Sequence, residues 1–258
     1  MEENKNRPLI LITNDDGIQA KGLRSLIQAV QGFGDIVIVA PDKPQSGMGH
    51  AITVNDVLRL NPSPLYPELN AFTCSGTPVD CVKLAISEVI EGKPDLLLSG
   101  INHGENSASN VLYSGTMSAA VEGAMEDIPS IGFSLLDFDP NADFTGAQWA
   151  VREVVKKVLD NEFPKSICLN VNIPQLKKEE IKGIKICRQA KAYWKDNFDK
   201  RFDQFGKPYY WLTGDFNRSD RSEDTDIWAL DNGFVSVVPT QFDMTAYHAI
   251  SQLNEWGL

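Results

Sequence analysis

Residues 8–17 read PLILITNDDG and predict how the fold begins, with a short apolar strand that ends in polar residues. A run that is apolar at almost every position is typical of a strand covered on both faces of a parallel sheet. Apolar residues at helical spacing follow in residues 21–33, and a second apolar run, DIVIVA, occupies residues 35–40. This order of strand, helix and strand predicts a βαβ unit with a right-handed crossover.

The same alternation continues through the first two-thirds of the chain. Further strands are predicted at residues 95–99, 130–135 and 166–171, and helices at residues 79–90, 117–125 and 144–159. The pattern changes near residue 185, because residues 193–211 are rich in aromatic and charged side chains without a clean period. Residues 215–226 read as a polar loop and residues 233–238 as a strand. This last part of the chain fits an edge extension, a flap over the substrate or an oligomer contact.

Charge and composition exclude several classes of function. The chain has 24 Lys+Arg against 35 Asp+Glu, so its net charge of −11 argues against a nucleic-acid polymer as a stable partner. A small phosphate ligand is still compatible, because a metal and backbone N–H groups can supply positive potential. Four cysteines without a CxxC pair and three histidines argue against zinc.

The distribution of apolar residues predicts neither a secretory signal nor a membrane span. Residues 1–8, MEENKNRP, contain no apolar stretch of the kind found in a secretory signal. No run reaches the roughly 18–20 apolar residues that a membrane span needs. We therefore expect a cytoplasmic protein without a membrane partner.

Polar loops follow three predicted strands, with the sequences TNDDG at 13–17, PDKPQSG at 41–47 and SGINHG at 99–104. Ligands of open α/β sheets bind at the carboxyl ends of the strands, where these three loops should meet. Asp15 and Asp16 would repel each other there, and a divalent cation with oxygen ligands is the usual compensation. Ser46 and Asn102 could complete an oxygen shell suited to Mg²⁺ or Mn²⁺. The alternative is a simple turn before a helix, where Asp is favoured anyway.

Two further motifs lie at predicted helix starts. Ser114, Gly115 and Thr116 open the helix at 117–125, and such an N-terminus offers an anion site for phosphate. The alternative is that Ser114 or Thr116 is only an N-cap. In GTPVD at 76–80, Thr77 and Asp80 have the spacing of helix capping, which is the favoured interpretation of Asp80, while a place at the border of the site stays open for Thr77.

Four segments in sequence order resemble one known family. These are ILITNDDGIQAKGL, VAPDKPQSGMGHAIT, CSGTPVDCVKLA and LLSGINHGENSASNVLYSGTMSAAVEGA. Together they resemble the SurE survival-protein family of 5′/3′-nucleotidases, as do LNVNIP at 169–174 and the segment at 225–245. The likeness covers nearly the whole chain. Two departures are Asn110, where the family commonly has Asp, and Lys21, where it usually has Pro.

The resemblance implies an α/β fold with a Rossmann-like, mostly parallel sheet flanked by helices. It places a catalytic core at residues 1–185 and a C-terminal extension at 186–258 that serves dimerisation or higher homo-oligomerisation. It also implies a 5′-nucleotidase that uses one divalent cation per subunit, Mg²⁺ or Mn²⁺, and acts on nucleoside 5′-monophosphates, with 3′-monophosphates as a second possibility. Carried over by motif, the metal ligands are Asp15, Asp16, Ser46 and Asn102, and the phosphate pocket comprises Asn14, Asn106, Ser114, Gly115 and Thr116.

The expected mechanism is in-line attack on phosphorus by a metal-activated water that Asp15 or Asp16 orients or deprotonates. One alternative is a phosphatase with an aspartyl-phosphate intermediate, although such enzymes usually place their carboxylates two residues apart rather than adjacent. A second alternative is a non-catalytic nucleotide-binding module. The absence of GxGxxG after the first strand weakens that interpretation.

Overall fold

A nine-stranded, mostly parallel sheet forms the centre of the computed structural model, which describes residues 7–257. Its strands, with those of a separate two-stranded ribbon, are β1 Leu9–Thr13, β2 Asp35–Pro41, β3 Leu60–Pro62, β4 Asn70–Cys74, β5 Leu96–His103, β6 Ser130–Leu135, β7 Ile167–Ile173, β8 Ile184–Ile186, β9 Tyr193–Phe202, β10 Pro208–Asn217 and β11 Val235–Gln241. The helices are α1 Lys21–Val30, α2 Pro78–Leu84, α3 Gly115–Met125, α4 Thr145–Leu159, α5 Asp226–Asp231 and α6 Tyr247–Asn254.

Strand order follows the expected α/β plan. The sheet runs β3-β4-β2-β1-β5-β6-β7-β11-β8, and β1 pairs in parallel with both β2 and β5. Two pairs are antiparallel, β3 with β4 and β7 with β11. The C-terminal part of the chain thus returns to the sheet, because β11 lies between β7 and β8. The predicted Rossmann-like, mostly parallel sheet is confirmed.

The side chains of β1 point alternately to the two faces of the sheet and belong to two separate apolar clusters. Ile10 and Ile12 pack with residues of α1 and α4 on one face of the sheet, whereas Leu11 packs with residues of α2 and α3 on the other. All three side chains are fully buried. A strand covered by helices on both faces has no solvent-facing side, which explains why the PLILIT run is continuously apolar.

Several element boundaries differ from the prediction for physical reasons. The helix predicted at 79–90 is α-helical only to Leu84 and continues as a π turn over Ala85–Val89. The strand predicted at 95–99 extends to His103, because Asn102 and His103 resume pairing with β6 after a bulge. The predicted polar loop at 215–226 is shorter, since Asp215–Asn217 belong to β10 and Asp226 begins α5.

The aromatic segment that showed no period forms the ribbon of β9 and β10, which pair antiparallel from Tyr193↔Asn217 to Phe202↔Pro208. Most of its residues are exposed on both faces. A ribbon with no buried face has no reason to alternate apolar and polar residues, so the period-two signal was absent.

Within residues 7–257 no helix is both long and apolar enough to cross a membrane. Residues 1–6, on which most of the expectation about a leader rests, lie outside the described part of the chain. The cytoplasmic location stays a prediction.

Candidate active site

A cleft of about 740 Å³ opens at the carboxyl ends of β1 and β5. Five of the residues singled out in the sequence line it together, namely Asp15, Ser46, Asn102, Asn106 and Ser114. They come from three parts of the chain, which are the loop after β1, the loop after β2, and the end of β5 with its connection to α3. The expectation that these loops meet at one edge of the sheet is therefore confirmed.

Asp15 is held in place by the first turn of α3. It is 4% exposed, and its Oδ1 accepts a hydrogen bond of 2.5 Å from the hydroxyl of Thr116. Gly115 packs directly on it, since a Cβ at that position would lie 2.7 Å from the Asp15 Cβ. The Asp15 carbonyl also accepts from the N–H of Gln45 at 2.7 Å. The carboxylate is thus fixed between two loops before any ligand binds.

The electrostatics of the pair favour a cation. Burial, and then repulsion by Asp16, raise the pKa of Asp15 to about 6, against a smaller opposing effect of the Thr116 hydroxyl. Burial also raises the pKa of Asp16, opposed by the backbone N–H of His103, which lies 3.4 Å from Asp16 Oδ2. Both carboxylates therefore resist ionisation together, and a divalent cation between them would remove that resistance.

The remaining donors of the site are neutral oxygens. Asn102 donates its Nδ2 to the Gly104 carbonyl at 2.9 Å, which fixes its Oδ1 as the free end of the amide. Asn14 donates Nδ2 to the Gly17 carbonyl at 3.0 Å, and its buried Oδ1 has no hydrogen-bond partner within residues 7–257. Ser46 lies exposed in the loop after β2.

This donor set fits a hard cation. In the described part of the chain no group of three or more His, Cys, Asp or Glu side chains has the geometry of a metal site. The candidate site therefore offers two carboxylates with amide and hydroxyl oxygens. An all-oxygen set of this kind suits Mg²⁺ or Mn²⁺ better than zinc.

Asn106 is held by a buried network that the sequence did not reveal. Its N–H donates to Asn172 Oδ1 at 2.7 Å, its Nδ2 donates to Ser134 Oγ at 2.7 Å, and its carbonyl accepts from Asn170 Nδ2 at 2.8 Å. Asn170 and Asn172 are the two asparagines of the LNVNIP segment on β7. Two amides in an otherwise apolar buried strand were the available signal, because buried polar groups need partners.

The start of α3 has the predicted N-cap, and it also reaches the cleft. Ser114 is the N-cap, accepting from the N–H of Met117 at 3.0 Å, and it also lines the cleft. The Thr116 side chain is fully buried and directed to Asp15. Of the two hydroxyls, that of Ser114 is therefore the one that reaches the cleft.

The loop that carries Ser46 is tied to the core by two buried carboxylates. Thr77 and Asp80 form the predicted capping box, and Asp80 also accepts from the N–H and hydroxyl of Thr53, at 3.1 and 2.6 Å. Glu122 on α3 accepts from His50 Nε2 at 2.9 Å and also bonds Lys83. The capping role predicted for Thr77 and Asp80 is confirmed, and His50 serves as an anchor of this loop.

The outer part of the cleft belongs to the ribbon. Tyr193, Trp194, Asp196 and Leu212 line it, and the indole N–H of Trp194 donates to Asn110 Oδ1 at 2.8 Å. None of these ribbon residues was singled out in the sequence. A dense cluster of aromatic residues was the only signal there, and without a period it fitted a flap, an edge extension or an oligomer contact equally.

Comparison with known proteins finds one family model, several curated sequences and a solved structure that are similar to this chain. The family model described as survival protein SurE matches residues 10–196. The 5′-nucleotidase SurE of Flavobacterium johnsoniae is 60% identical over 253 residues, covering 98% of this chain and 98% of that protein. The 5′-nucleotidase SurE of Flavobacterium psychrophilum is 59% identical over 254 residues, covering 98% and 99%.

A solved structure agrees with these sequence matches. The crystal structure of the SurE protein from Aquifex aeolicus superimposes with a TM-score of 0.85 at 40% identity, covering 97% of this chain and 100% of that one. The segment matched by the family model contains every core residue that lines the cleft.

Proposed function

The chain belongs to the SurE family of survival proteins, and from this premise we propose that it is a metal-dependent 5′-nucleotidase. It hydrolyses nucleoside 5′-monophosphates to nucleoside and phosphate. The observation that carries the proposal is the adjacent pair of buried Asp15 and half-buried Asp16, both with raised pKa values, beside a cleft of neutral oxygen donors at the start of a helix.

Asp15, Asp16, Ser46 and Asn102 are the residues that would hold one Mg²⁺ or Mn²⁺ ion per subunit. When bound, such an ion neutralises phosphate charge and lowers the pKa of the water that attacks phosphorus in line. The carboxylates of Asp15 and Asp16 orient this water, and one of their oxygens accepts its proton.

The phosphate oxygens are held by neutral donors at the start of α3 and in the loop before it. The hydroxyl of Ser114 and the N–H of Gly115 lie where the positive end of the helix dipole favours an anion. Asn14 and Asn106 complete the pocket. Thr116 acts on the phosphate through Asp15, whose carboxylate it orients. These donors hold an anion without a cationic side chain, in keeping with the acidic chain.

Residues 186–258 are proposed to hold the subunits of a homodimer or larger homo-oligomer together. The ribbon exposes Phe198, Phe202, Phe205 and Trp211, each at least 59% accessible in one chain. Phe198 and Phe202 share one face of the ribbon with Leu212, and exposed apolar side chains grouped in this way are typical of an interface.

The function is tested by phosphate release from a panel of nucleoside 5′- and 3′-monophosphates. Each nucleotide is assayed with Mg²⁺, with Mn²⁺ and with a chelator. We expect release that requires the metal and is faster from 5′- than from 3′-monophosphates. Nucleotide binding without phosphate release, at saturating metal, would instead support a nucleotide-sensing module. A trapped phospho-enzyme would support the aspartyl-phosphate alternative.

A further inference from the structure

One buried carboxylate outside the metal site joins three separate segments that build the cleft. Asp226, the first residue of α5, is fully buried. Its Oδ1 accepts from the N–H groups of Ala190 and Ile227 at 3.0 and 2.8 Å, and its Oδ2 accepts from the N–H of Ala108 at 2.8 Å. Charge-assisted bonds to backbone N–H groups are among the stronger hydrogen bonds in proteins. Asp226 thus connects α5 both to the residues before β9 and to the loop that carries Asn106.

The backbone at Ala108 depends on this bond. Ala108 has a φ of 49°, in the left-handed region that residues other than glycine seldom adopt. Such a conformation persists when its surroundings hold it. The Asp226 carboxylate supplies that hold, two residues after Asn106 and two before Asn110. The conformation of this stretch of the cleft wall is therefore set from α5.

A second connection joins the same segments closer to the surface. Arg218, which directly follows β10, donates to Asp231 Oδ1 at the end of α5 at 2.9 Å and to Glu105 Oε1 at 3.3 Å. Its guanidinium lies 5.6 Å from the ring centre of Phe216, whose ring is 5.2 Å from that of Trp194. Asp226 therefore holds the residues just before β9, and Arg218 holds the residues just after β10.

Where the ribbon meets the core, Trp194, Asp196 and Gly214 share one face, and the cleft is lined from this face and by Tyr193 and Thr213. Opposite pairs on that face are Trp194 with Phe216 and Asp196 with Gly214, as the antiparallel register shows. Trp194 bonds to Asn110, and the N–H of Ser109 donates to the Ala192 carbonyl at 3.4 Å. This wall of indole, carboxylate and apolar groups differs from the hydroxyl and amide donors near Asp15. It suits a base and ribose rather than a phosphate.

We propose that Asp226 and Arg218 are positioning residues that set nucleoside recognition, because they hold the base of the ribbon against the loop at residues 104–112. Neither touches the substrate. They act through Trp194, Asp196 and Asn110, whose positions depend on this contact. The inference rests on the proposed nucleotidase function and adds to it which part of the molecule selects the nucleoside.

The test compares two phosphate monoesters, a nucleoside 5′-monophosphate and 4-nitrophenyl phosphate, which lacks ribose and base. The first variant is Asp226→Asn. Its single amide oxygen can still accept from the N–H groups of Ala190 and Ile227. The NH₂ group then faces the N–H of Ala108, and because both are donors, that bond is lost. The second is Arg218→Gln, whose side chain is 35% accessible, so that its substitution disturbs folding less than one at a fully buried position. The matched control is Asp224→Asn, an exposed carboxylate nearby that pairs with Arg188.

Asp226→Asn loses one supporting hydrogen bond and Arg218→Gln at least one of its two, so KM for the nucleotide should rise about fivefold or more in each variant. Values of kcat for the nucleotide, and both constants for 4-nitrophenyl phosphate, should stay near those of the wild type and the control. Equal changes for the two substrates, or unchanged nucleotide KM, would overturn the inference while leaving the nucleotidase function intact. If Asp226→Asn does not fold, Arg218→Gln decides alone. A wild-type chain inactive on both esters would overturn the proposed function, and the inference with it.

Discussion

Asp15 combines two conditions that both oppose its ionisation, near-complete burial and a neighbouring negative charge. Its hydrogen bonds to Thr116 offset only part of this, since its pKa is still raised from 3.8 to about 6. The residue is therefore destabilising in the metal-free protein at neutral pH. Such unfavourable electrostatics at a cleft are typical of functional sites, where a ligand supplies the missing charge.

This destabilisation predicts an unusual pH dependence for the metal-free protein. The folded chain binds the Asp15 proton more tightly than the unfolded chain does, so stability from this group is present below pH 4 and falls as pH rises to about 6. A shift of 2.2 pKa units, from 3.8 to about 6, corresponds to roughly 3 kcal/mol. With chelator at pH 8, Asp15→Asn should therefore unfold at higher denaturant concentration than the wild type.

Two comparisons test whether the charge of Asp15 causes this difference in stability. The stability difference between Asp15→Asn and the wild type should shrink when chemical denaturation is repeated near pH 4. Added Mg²⁺ or Mn²⁺ should stabilise the wild type at pH 8 and leave the variant almost unchanged. A stabilising effect of the substitution that is the same at both pH values would show that charge is not its origin.

At the scale of single elements, the approach of α3 to β1 determines the geometry of the site. Gly115 allows this approach, because any side chain there would press on the Asp15 side chain. Gly123 lies two turns further along the same helix, and a Cβ there would meet Ser130 Oγ at 2.2 Å, remote from the carboxylate. The helix thus has one glycine at the site and one at a purely structural contact.

These two glycines predict separable effects. Gly115→Ala and Gly123→Ala should each lower the free energy of unfolding by about 1–3 kcal/mol, because both overpack a close contact. Only Gly115→Ala should also weaken the binding of Mn²⁺, measured by calorimetry at a temperature where both variants are folded. Equal loss of metal affinity in the two variants would contradict the assignment of Asp15 as a ligand.

The elements also show which parts of the molecule the sequence could predict. β1, β2 and β6 are buried on both faces, so their apolar runs fixed their ends to within a residue. β3 and β8 are three-residue edge strands, too short to show any period. The ribbon has no buried face to impose one. Local pattern therefore predicts an element to the extent that burial shapes its sequence.

The same reasoning explains which site residues the sequence could predict and which it could not. Asp15, Ser46 and Asn102 follow predicted strands, so the rule that parallel sheets bind ligands at their carboxyl edge brought them together. Trp194 and Asp226 come from the last third of the chain, and their contacts with residues 108–110 span more than 80 positions. No local signal links residues that far apart, and only the folded chain shows the outer wall of the cleft.

For the whole molecule, α6 is a second element that exposes apolar side chains, besides the ribbon. Tyr247, Ile250 and Leu253 recur at helical spacing along it, and each is at least 40% accessible. A short helix with a largely exposed apolar stripe is marginal alone in water. A second copy of the chain is the partner that the proposed oligomer supplies.

We predict that the wild-type chain sediments as a dimer or a larger oligomer and that Ile250→Asp combined with Leu253→Asp shifts it to the single chain. Two charges in a buried apolar contact would be left without partners. Ser251→Asp, on the same helix, is the control and should leave the assembly unchanged. Analytical ultracentrifugation distinguishes these results. A wild-type chain that is monomeric at all concentrations would contradict the proposed role of the extension.

The central claim is that adjacent Asp15 and Asp16 hold the metal on which phosphate release depends. Its most direct test is kcat for a nucleoside 5′-monophosphate at saturating Mn²⁺ in Asp16→Asn and in Asp35→Asn. Asp35 begins β2 at the opposite edge of the sheet, where it pairs with Arg7. We predict a fall of at least about a hundredfold for Asp16→Asn, equivalent to about 3 kcal/mol, and no change for Asp35→Asn. A kcat near that of the wild type in Asp16→Asn would contradict the account.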